Sequence, residues 1–475
     1  MKTNFFLPAY QSRSRAAACL TCVNLSFEQV PGGLLEEGFY FVPFGYTEAY
    51  TIGTGPIRGA VTGFGYGWVV SGAQLFRVTA AGATTLIGAV PGTGRALLSV
   101  NDTQVLVAHS AGWNIVTASS LAYIAVAGAP STAQATYYES RFFFPNSNGT
   151  YGWSELANAT ALDALSFNSE ESSPDPVVAV LADHRELLIF NETTIGWAQS
   201  NGDLDTVVTR TAMAEYGLLA KYSPAKSDNT VFWLGRNETG GARVYMAQGY
   251  SPAGVSDFAL EVEFETYGAD AMAASWGACF QYEGHTYYML TIPGKSTLAF
   301  DAATKRWARW AHRNTLTGDL EQMRFNAHYF LAGKHYFGDY ATGQVFQISS
   351  SVYKHGADPL YWERTFFVID ADNKRIRFNS GELIAEMGVG LDSGTFGAIP
   401  SPGADPKCYL NWSDDQGGKW SGHRPLTLGR IGAREQRARV KRMGLARRRI
   451  LKLSGSEPVK TVILGFNLEA EPLKK

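Results

Sequence analysis

The chain has 475 residues, of which 45% are hydrophobic, 13% aromatic and 18% charged, and its net charge is −2. Its length and apolar content allow a large buried core divided among two or three domains, and its 50 glycines, 23 tyrosines and 27 phenylalanines favour short strands and tight turns over long helices. No run reaches the roughly 18 apolar residues of a membrane-spanning helix, so the sequence excludes such a span and predicts a mostly β fold.

The N-terminal segment, residues 1–50, gives no sign of export. Its first apolar run is short and is broken by Pro8, so it lacks the apolar core of a secretory signal, and we expect the chain to be made and kept in the cytoplasm. Cys19 and Cys22 form the one close cysteine pair of the sequence. A zinc site needs four ligands, and neither a second pair nor a histidine pair stands at suitable spacing. We therefore expect two small apolar residues of an N-terminal strand, and neither a metal nor a cofactor.

Residues 51–355 alternate short, aromatic-rich apolar runs with turns of Gly, Asn, Asp or Pro. Neighbouring runs, such as those between Ala182 and Phe190, are typical of antiparallel hairpins. Two hairpins together take about 40 to 50 residues, which is the length of a four-stranded propeller blade. The region therefore predicts an irregular β-propeller of six or seven blades, while stacked β-sandwiches fit the same spacing and stay open as the alternative. The best candidate for a helix is a short one from Ser154 to Leu165.

Residues 356–475 have their own pattern, with six strand candidates in a shorter region. So many strands in about 110 residues indicate a compact, sandwich-like β domain, which we call the platform. The candidates are Trp362 to Ile369, Glu382 to Val389, Lys407 to Trp412, Gln436 to Met443, Arg448 to Leu453 and Val459 to Glu469.

One turn of the platform has a specific signature. Ser413, Asp415, Gly417 and Trp420 match the S-x-D-x-G-x-x-W pattern of an Asp-box. In such a hairpin the Asp and Ser side chains bond to the backbone of the turn. The motif therefore predicts a structural turn and no chemistry.

The basic segment, Arg424 to Lys452, contains 11 Lys and Arg residues and one acid, Glu435, for a net charge of +10. Because the whole chain carries −2, the other residues carry −12. This segregation indicates a surface for a polyanion or for an acidic protein neighbour, and it does not indicate an active site. The candidate residues for contact with such a partner are Arg430, Arg434, Arg437, Arg439, Lys441, Arg442, Arg447, Arg448, Arg449 and Lys452.

Strand alternation sorts these cations onto two faces. On one face it places Arg437, Arg439 and Lys441, and on the other Ala438, Val440 and Arg442. A row of like charges about 6.6 Å apart is unfavourable unless an anion lies along it. In the next strand, Arg447 and Arg449 fall on one side and Arg448 on the other. The last strand is expected to anchor the region through an apolar face that contains Val462, Leu464, Phe466 and Leu468.

Two partners fit the basic face: the phosphates of a nucleic acid, or acidic patches on neighbouring protein subunits. A merely solvated face is the third possibility. The sequence has no recognition helix, zinc finger or RNP aromatic set that would read bases. Any contact with double-stranded DNA is therefore expected to be independent of base sequence and to weaken as salt rises.

Motifs for catalysis are missing from the sequence, which has no Walker phosphate loop, no G-x-S-x-G elbow and no H-E-x-x-H. A glycosidase is the main alternative, since Asp-boxes and propellers occur together in sialidases. Candidate carboxylates for a pair across the propeller channel are Asp183, Glu186, Asp270 and Glu283. A sialidase-like site also needs three spaced arginines, whereas the propeller region here is poor in arginine and the arginines are densest in the last 50 residues. The sequence thus favours a protein that is not an enzyme, with a glycan-binding or glycan-cleaving propeller as the alternative.

Three groups of residues together resemble a known family. They are Cys22 to Leu25 with Glu28 and Pro31-Gly32, then Tyr336 to Asp339 with Gly343 to Phe346, and finally Arg437 to Gly444 with Arg447 to Leu453, Pro458-Val459 and Ile463 to Gly465. In this order and spacing they resemble the packaged-DNA stabilisation proteins of short-tailed bacteriophages, also called tail accessory factors, hub or nozzle proteins.

The resemblance implies a virion protein that forms a hexameric ring below the portal and adaptor rings. Such a ring would extend the tail channel, retain packaged DNA and provide the opening through which the DNA leaves. Its further partners would be tail spike, fibre or needle proteins. The resemblance also implies that the N- and C-terminal parts join in one platform with the propeller inserted between them. We then expect most of the basic residues to face neighbouring subunits or the adaptor, and a minority to face the channel.

Overall fold

The computed structural model describes residues 5–11, 13, 19–32, 38–169, 175–202, 207–236, 240–367, 374–392 and 401–473. Strands account for 57% and helices for 3% of the structure, which confirms the mostly β prediction. Seven consecutive sheets form a β-propeller, and most of the other strands form a β-sandwich.

The first six strands are β1 Tyr10–Gln11, β2 Cys19–Leu20, β3 Cys22–Val23, β4 Ser26–Gln29, β5 Gly38–Phe41 and β6 Gly45–Thr51. They belong to different parts of the fold. β1 pairs with β2 in a small hairpin, β3 joins the propeller to the sandwich, β4 and β5 lie in the sandwich, and β6 completes the last blade.

The first four blades are consecutive antiparallel meanders. Their strands are β7 Ile57–Gly63, β8 Tyr66–Ser71, β9 Gln74–Val78 and β10 Thr84–Ala89; β11 Leu97–Val100, β12 Gln104–His109, β13 Gly112–Thr117 and β14 Tyr123–Val126; β15 Thr136–Tyr138, β16 Arg141–Pro145, β17 Tyr151–Glu155 and β18 Asn158–Asn168; β19 Val177–Asp183, β20 Glu186–Asn191, β21 Ile195–Ser200 and β22 Val208–Ala214.

The last three blades include the helices of the structure. Their elements are β23 Gly217–Leu218, β24 Ala225–Ser227, β25 Thr230–Arg236, β26 Ala242–Gln248 and β27 Ser251–Gly254; α1 Phe258–Thr266 and α2 Ala269–Ala273; β28 Trp276–Tyr282, β29 His285–Ile292, β30 Ser296–Asp301 and β31 Arg306–Arg313 with β32 Leu320–Gln322; β33 Phe325–Leu331, β34 Lys334–Asp339 and β35 Gln344–Ser349. The sheets therefore give seven blades, within the predicted range.

Strand β6 closes the ring of blades. It pairs antiparallel with β35, with Tyr46 opposite Ile348. The seventh blade thus takes three strands from the end of the propeller and one from the N-terminal segment. Tyr46 is fully buried and its ring packs against those of Phe325, Phe346 and His355. Both ends of the propeller are therefore held in one sheet.

The helix predicted from Ser154 to Leu165 is wrong. These residues belong to β17, β18 and the turn between them, where Ala157 has a φ of 50°. Their alanine and leucine content favours a helix locally, but strand pairing within the blade overrides that preference. A helix forms instead at α1, where the Asp257 side chain caps the first turn by accepting a hydrogen bond from the Leu260 N–H.

The C-terminal strands form a two-layered sandwich. They are β36 Lys354–His355, β37 Asp358–Pro359, β38 Trp362–Phe367, β39 Ile376–Ala385, β40 Lys407–Ser413, β41 Arg424–Thr427, β42 Ala438–Ala446, β43 Ile450–Gly455 and β44 Val462–Pro472. One layer has the order β4-β5-β44-β39-β42, and the other continues from β3 through β38-β43-β40-β41. Between them, Phe5, Phe27 and Tyr40 of the N-terminal segment pack with Phe366 and Phe466 in one hydrophobic core.

One continuous sheet joins the propeller to the sandwich. β3 lies between β31 of the sixth blade and β38 of the sandwich. The next residue, Asn24, is 4% exposed and has a left-handed backbone with a φ of 51°, which asparagine tolerates. Its amide nitrogen donates to the carbonyls of Ala311 and Tyr361, both at 2.7 Å, and its oxygen accepts from the Ala311 N–H at 2.9 Å. The side chain thus links blade and sandwich.

Replacing Asn24 by alanine should destabilise the protein. The change leaves three buried backbone groups without a partner, and each such group costs about 1–3 kcal/mol, so we expect the free energy of unfolding to fall by about 2–4 kcal/mol. Urea unfolding followed by tryptophan fluorescence measures the change. Asn467→Ala is the matched control, because Asn467 is exposed on β44. Equal midpoints for the two variants would contradict the linking role of Asn24.

Candidate interface on the basic strands

The basic segment occupies strands of both sandwich layers. β41 and β43 lie in one layer, whereas β42 is the edge strand of the other and pairs with β39. The chain crosses from one layer to the other at residues 447–449, between β42 and β43. The segment therefore contributes an edge strand to each layer, β41 and β42, together with the turns that flank β42.

The first half of β42 follows the predicted alternation. Arg437, Arg439 and Lys441 are exposed, whereas Ala438 and Val440 are buried in the core. One face of the edge strand thus carries a row of three cations.

The expected position of Arg442 on the inner face is wrong. Arg442 is exposed, because β42 bulges at this point: Arg442 and Gly444 have φ angles of 58° and 85°. The register against β39 shifts after Lys441, and the bulge turns Met443 into the core, where it is 1% exposed.

A second bulge changes which residues of β44 form its apolar face. The register between β44 and β39 shifts near Ile463. Ile463 reaches the core, whereas Val462 and Leu464 are only partly buried. Phe466 and Leu468 are buried as predicted.

Two of the outward arginines are paired with carboxylates of the same layer. Arg437 donates two hydrogen bonds to Glu382, at 2.6 and 2.7 Å, and this bonding lowers the pKa of the Glu382 carboxyl. Arg439 donates to Glu469 at 2.8 Å and to the Ser380 hydroxyl at 2.7 Å. The anions expected along the row of cations are therefore, in part, side chains of the chain itself.

Arg449 is a structural residue of the sandwich. Its side chain is 1% exposed and donates to both oxygens of Asp414, at 2.6 and 2.7 Å, and to the carbonyl of Met443 at 2.6 Å. Its guanidinium lies 4.1 Å from the ring centroid of Phe378 and 5.2 Å from that of Trp412. A cation enclosed in this way is not part of an exposed interface.

The remaining candidates lie at the ends of β42 and on β43. Lys452 is half-buried, with its ammonium 3.6 Å from the Glu363 carboxylate and 4.2 Å from the ring centroid of Trp420. The exposed candidates in the turns that flank β42 are Arg430, Arg434, Arg447 and Arg448.

A groove with a volume of about 530 Å³ lies at the bulge, between β39 and β42. We call it the bulge groove. It is lined by the cations Arg377, Lys441 and Arg442, and by Leu445, which is 49% exposed. Neither Lys441 nor Arg442 has a hydrogen bond or ion pair to another residue that the structure describes. The groove is thus one place where the basic surface keeps charge available for a partner.

The Asp-box forms the turn that holds Asp414 against Arg449. The Ser413 hydroxyl donates to Asp415 at 2.7 Å and accepts from the Gly417 N–H at 2.9 Å. Asp415 also accepts from the Lys419 N–H at 2.7 Å, and these bonds lower the pKa of its carboxyl. The motif therefore serves the packing of the platform.

The sequence matches protein-family models over most of its length. Residues 18–353 match the β-propeller of bacteriophage P22 Gp10, and residues 361–471 match the β-sandwich of the same protein. The chain belongs to the P22 Gp10 family. This is a family of phage tail proteins that stabilise packaged DNA, and the resemblance drawn from the sequence is confirmed. No curated protein matches the chain.

Solved structures similar to this Gp10-family protein include several propellers. The N-terminal domain of Nup159 is 9% identical, with a TM-score of 0.43 over 69% of this chain and 98% of its own. The Pan2 WD40 domain of Neurospora crassa is 8% identical, with a TM-score of 0.42 over 62% and 89%. The Doa1 WD40 propeller is 11% identical, with a TM-score of 0.40 over 64% and 97%. Likeness at this level carries no functional argument.

The carboxylates considered for a glycosidase do not meet in the channel of this Gp10-family protein. Asp183 bonds to His184 at 2.8 Å, Glu186 accepts from a glutamine, Asp270 lies in α2, and Glu283 lies in a hairpin turn. Among the described residues, no carboxylate lines the channel, and no group of three or more His, Cys, Asp or Glu is placed to hold a metal ion. No described helix is long and apolar enough to cross a membrane.

Arg449→Met and Arg442→Met should differ in stability. Loss of Arg449 leaves the Met443 carbonyl unpaired in the core, so we expect the free energy of unfolding to fall by about 1–3 kcal/mol. The lost ion pair with Asp414 should add little to this change, because Asp414 is partly exposed to solvent. Loss of the exposed Arg442 should change it by less than about 0.5 kcal/mol. Chemical denaturation of both variants measures the difference, and an unchanged Arg449→Met protein would contradict the structural role.

Proposed function

We propose that this Gp10-family protein is a structural subunit of a short phage tail. In this proposal six copies form a hub or nozzle ring below the portal and adaptor rings, extend the DNA channel, retain the packaged genome and serve its ejection. The protein acts by assembly and not as an enzyme. Family membership supports the tail role, and the bulge groove carries the proposal that the platform contacts another protein.

The distribution of charge around the bulge groove favours a protein partner over DNA. Glu469 lines the groove beside Arg439, and Glu382 of β39 neutralises Arg437, which directly precedes β42. These carboxylates would repel the phosphates of a duplex, which binds best to surfaces of uniform positive charge. The exposed Leu445 offers apolar area that a protein surface can cover and that a phosphate backbone cannot.

A second copy of the chain supplies the required acidic partner. The residues outside the basic segment carry a net charge of −12, while the segment itself carries +10. Head-to-tail contacts between unlike faces generate rings when the rotation closes. Charge complementarity thus supports both self-assembly and docking onto an acidic adaptor. In this proposal the ring contacts packaged DNA without base specificity.

Reversing the charge of the bulge groove should prevent assembly. We expect Lys441→Glu/Arg442→Glu to fold normally, because both side chains are exposed, and to lose ring formation, because like charges then face the acidic neighbour. The control is Lys334→Glu/Arg185→Glu, which makes the same charge change on exposed hairpins of the propeller.

Light scattering and negative-stain images of the purified chain, alone and mixed with tail particles that lack it, measure the outcome. The wild-type protein and the control should give sixfold rings or restored tails, and the bulge-groove variant should give neither. Normal rings from the bulge-groove variant would place the interface elsewhere. A wild-type protein that stays monomeric both alone and with the tail particles would contradict the proposed hub ring.

A further inference from the structure

The hairpin between β31 and β32, residues 313–321, presents a leucine to the solvent, and we call it the sixth-blade hairpin. Leu316 at its tip is 95% exposed, the highest fraction among the large hydrophobic side chains that the structure describes. Leu320, at the start of β32, is also exposed. A single exposed leucine is common on protein surfaces and needs no partner. The surroundings of Leu316 therefore decide whether it has a role.

The sixth-blade hairpin is held in one conformation by its own hydrogen bonds. The Asn314 side-chain oxygen accepts from the N–H groups of Leu316 and Thr317, at 2.9 and 3.2 Å. The Gly318 N–H donates to the Asn314 carbonyl at 2.8 Å, and the Arg313 guanidinium donates to the Gly318 carbonyl at 3.2 Å. A loop that is ordered before it meets a partner loses little conformational entropy on binding.

Two carboxylates follow this leucine without a counter-ion. Asp319 and Glu321 are exposed, and neither forms an ion pair with a residue that the structure describes. The one cation of the hairpin, Arg313, lies over the ring of Tyr361, 4.6 Å from its centroid. One arginine and two acids leave the hairpin with a net charge of −1. It therefore offers an apolar tip followed by two available acids.

The next two most exposed hydrophobic side chains lack this combination. Leu165, which is 81% exposed, lies in an irregular part of β18, where the nearby Asp163 accepts a hydrogen bond from the Leu165 N–H. Phe258, which is 72% exposed, begins α1, where Asp257 caps the helix and Glu261 is ion-paired with an arginine. The carboxylates next to these two side chains are thus used by the fold.

The bulge groove has the complementary features. Arg377, Lys441 and Arg442 line it, and none of these three side chains has a hydrogen bond or ion pair to another described residue. Leu445, which is 49% exposed, supplies apolar area beside them. An apolar tip with two acids thus matches an apolar wall with three cations. Unlike charges across an interface also favour one docking orientation over others.

The hairpin and the groove of one chain do not contact each other, since Leu316 is almost wholly exposed. The hairpin adjoins the junction, because Arg313 reaches Tyr361 just before β38. The groove lies at the outer edge of the other layer, where β44 and β39 separate β42 from β5. A contact between hairpin and groove therefore joins two copies through unlike faces, and contacts of this kind close rings.

We propose that the sixth-blade hairpin of one copy docks in the bulge groove of the next copy. Leu316 then lies against the exposed leucine of the groove, and the two carboxylates of the hairpin face its cations. The contact rests on the proposed hub ring and specifies which surface of the neighbouring copy the groove binds. Each copy contributes one hairpin and one groove, so a closed ring leaves neither surface unpaired.

Exchange of charge between the two surfaces tests this contact. Asp319→Lys/Glu321→Lys and Lys441→Glu/Arg442→Glu should each prevent ring formation, whereas a chain that carries all four changes should form rings again, because unlike charges then meet. Light scattering and negative-stain images, alone and with tail particles that lack the protein, measure the outcome. Circular dichroism reports whether each variant is folded.

The matched control for the hairpin is Asp102→Lys/Glu139→Lys. It makes the same charge change at exposed positions of two other propeller hairpins. Rings should form from this control as they do from the wild type, because neither position belongs to the sixth-blade hairpin or the bulge groove.

Leu316→Ser removes the apolar tip without a change of charge. We expect the protein concentration needed for ring formation to rise about tenfold or more, because burial of a leucine side chain contributes that much to association. Leu165→Ser is the matched control, since it removes another highly exposed leucine from the propeller, and it should not change that concentration. The urea midpoints of both variants should equal that of the wild type, because both leucines are exposed.

The results distinguish a failed contact from a failed ring. Rings that persist in the Asp319→Lys/Glu321→Lys variant, or that the four changes together do not restore, overturn the hairpin–groove contact and leave the hub ring standing. If a charge variant is unfolded, Leu316→Ser decides, and unchanged ring formation by that variant overturns the contact. A wild type that forms no rings, either alone or with the tail particles, overturns the hub ring and the contact with it.

Discussion

Strand β3 and the asparagine after it are the constraint on which the rest of the architecture depends. Val23 pairs with β31 of a blade on one side, and Cys22 and Val23 pair with β38 of the sandwich on the other. Because Asn24 then satisfies backbone groups of both bodies, the ladder continues across the junction. Without this strand, two sheet edges would face each other with unpaired polar groups, which is unfavourable when they are buried.

The same N-terminal segment supports both domains in other ways. Arg364 of β38 is fully buried and donates to the backbone carbonyls of Phe5, Leu7 and Thr21. Farther along, β6 completes the seventh blade. The segment therefore fills the platform core, forms the junction and closes the propeller before the first blade begins. Its contacts are with residues some 300 positions away, so the platform is complete only after the C-terminal strands have been made.

The sequence predicted the propeller, the sandwich and the family, because blade-length spacing and a few ordered motifs are local signals. It did not predict where the bulges lie. Alternation placed Arg442 inward, and a left-handed residue at the bulge turns it outward. The pattern of one strand also does not reveal acids on neighbouring strands, so the partners Glu382, Glu469 and Asp414 were missed. Arg377 was missed because it lies outside the basic run and reaches the groove from β39.

The charge segregation that marks the sequence has a different meaning in the folded chain. Several cations of the basic segment are used inside the platform, and Arg449 is buried by aromatic rings. At the bulge, Lys441 and Arg442 stay available beside the exposed Leu445. A small, mixed surface of this kind suits specific docking between proteins better than a uniform track for DNA.

Blade, junction and sandwich thus form one cooperative body through the N-terminal segment. Hydrogen–deuterium exchange of the full chain in increasing urea tests it most directly, because exchange reports the opening of individual strands. We expect β3, β6 and β38 to lose protection together, at one urea concentration. Loss of protection in β38 and its sandwich neighbours while β6 and the blades stay protected would contradict it.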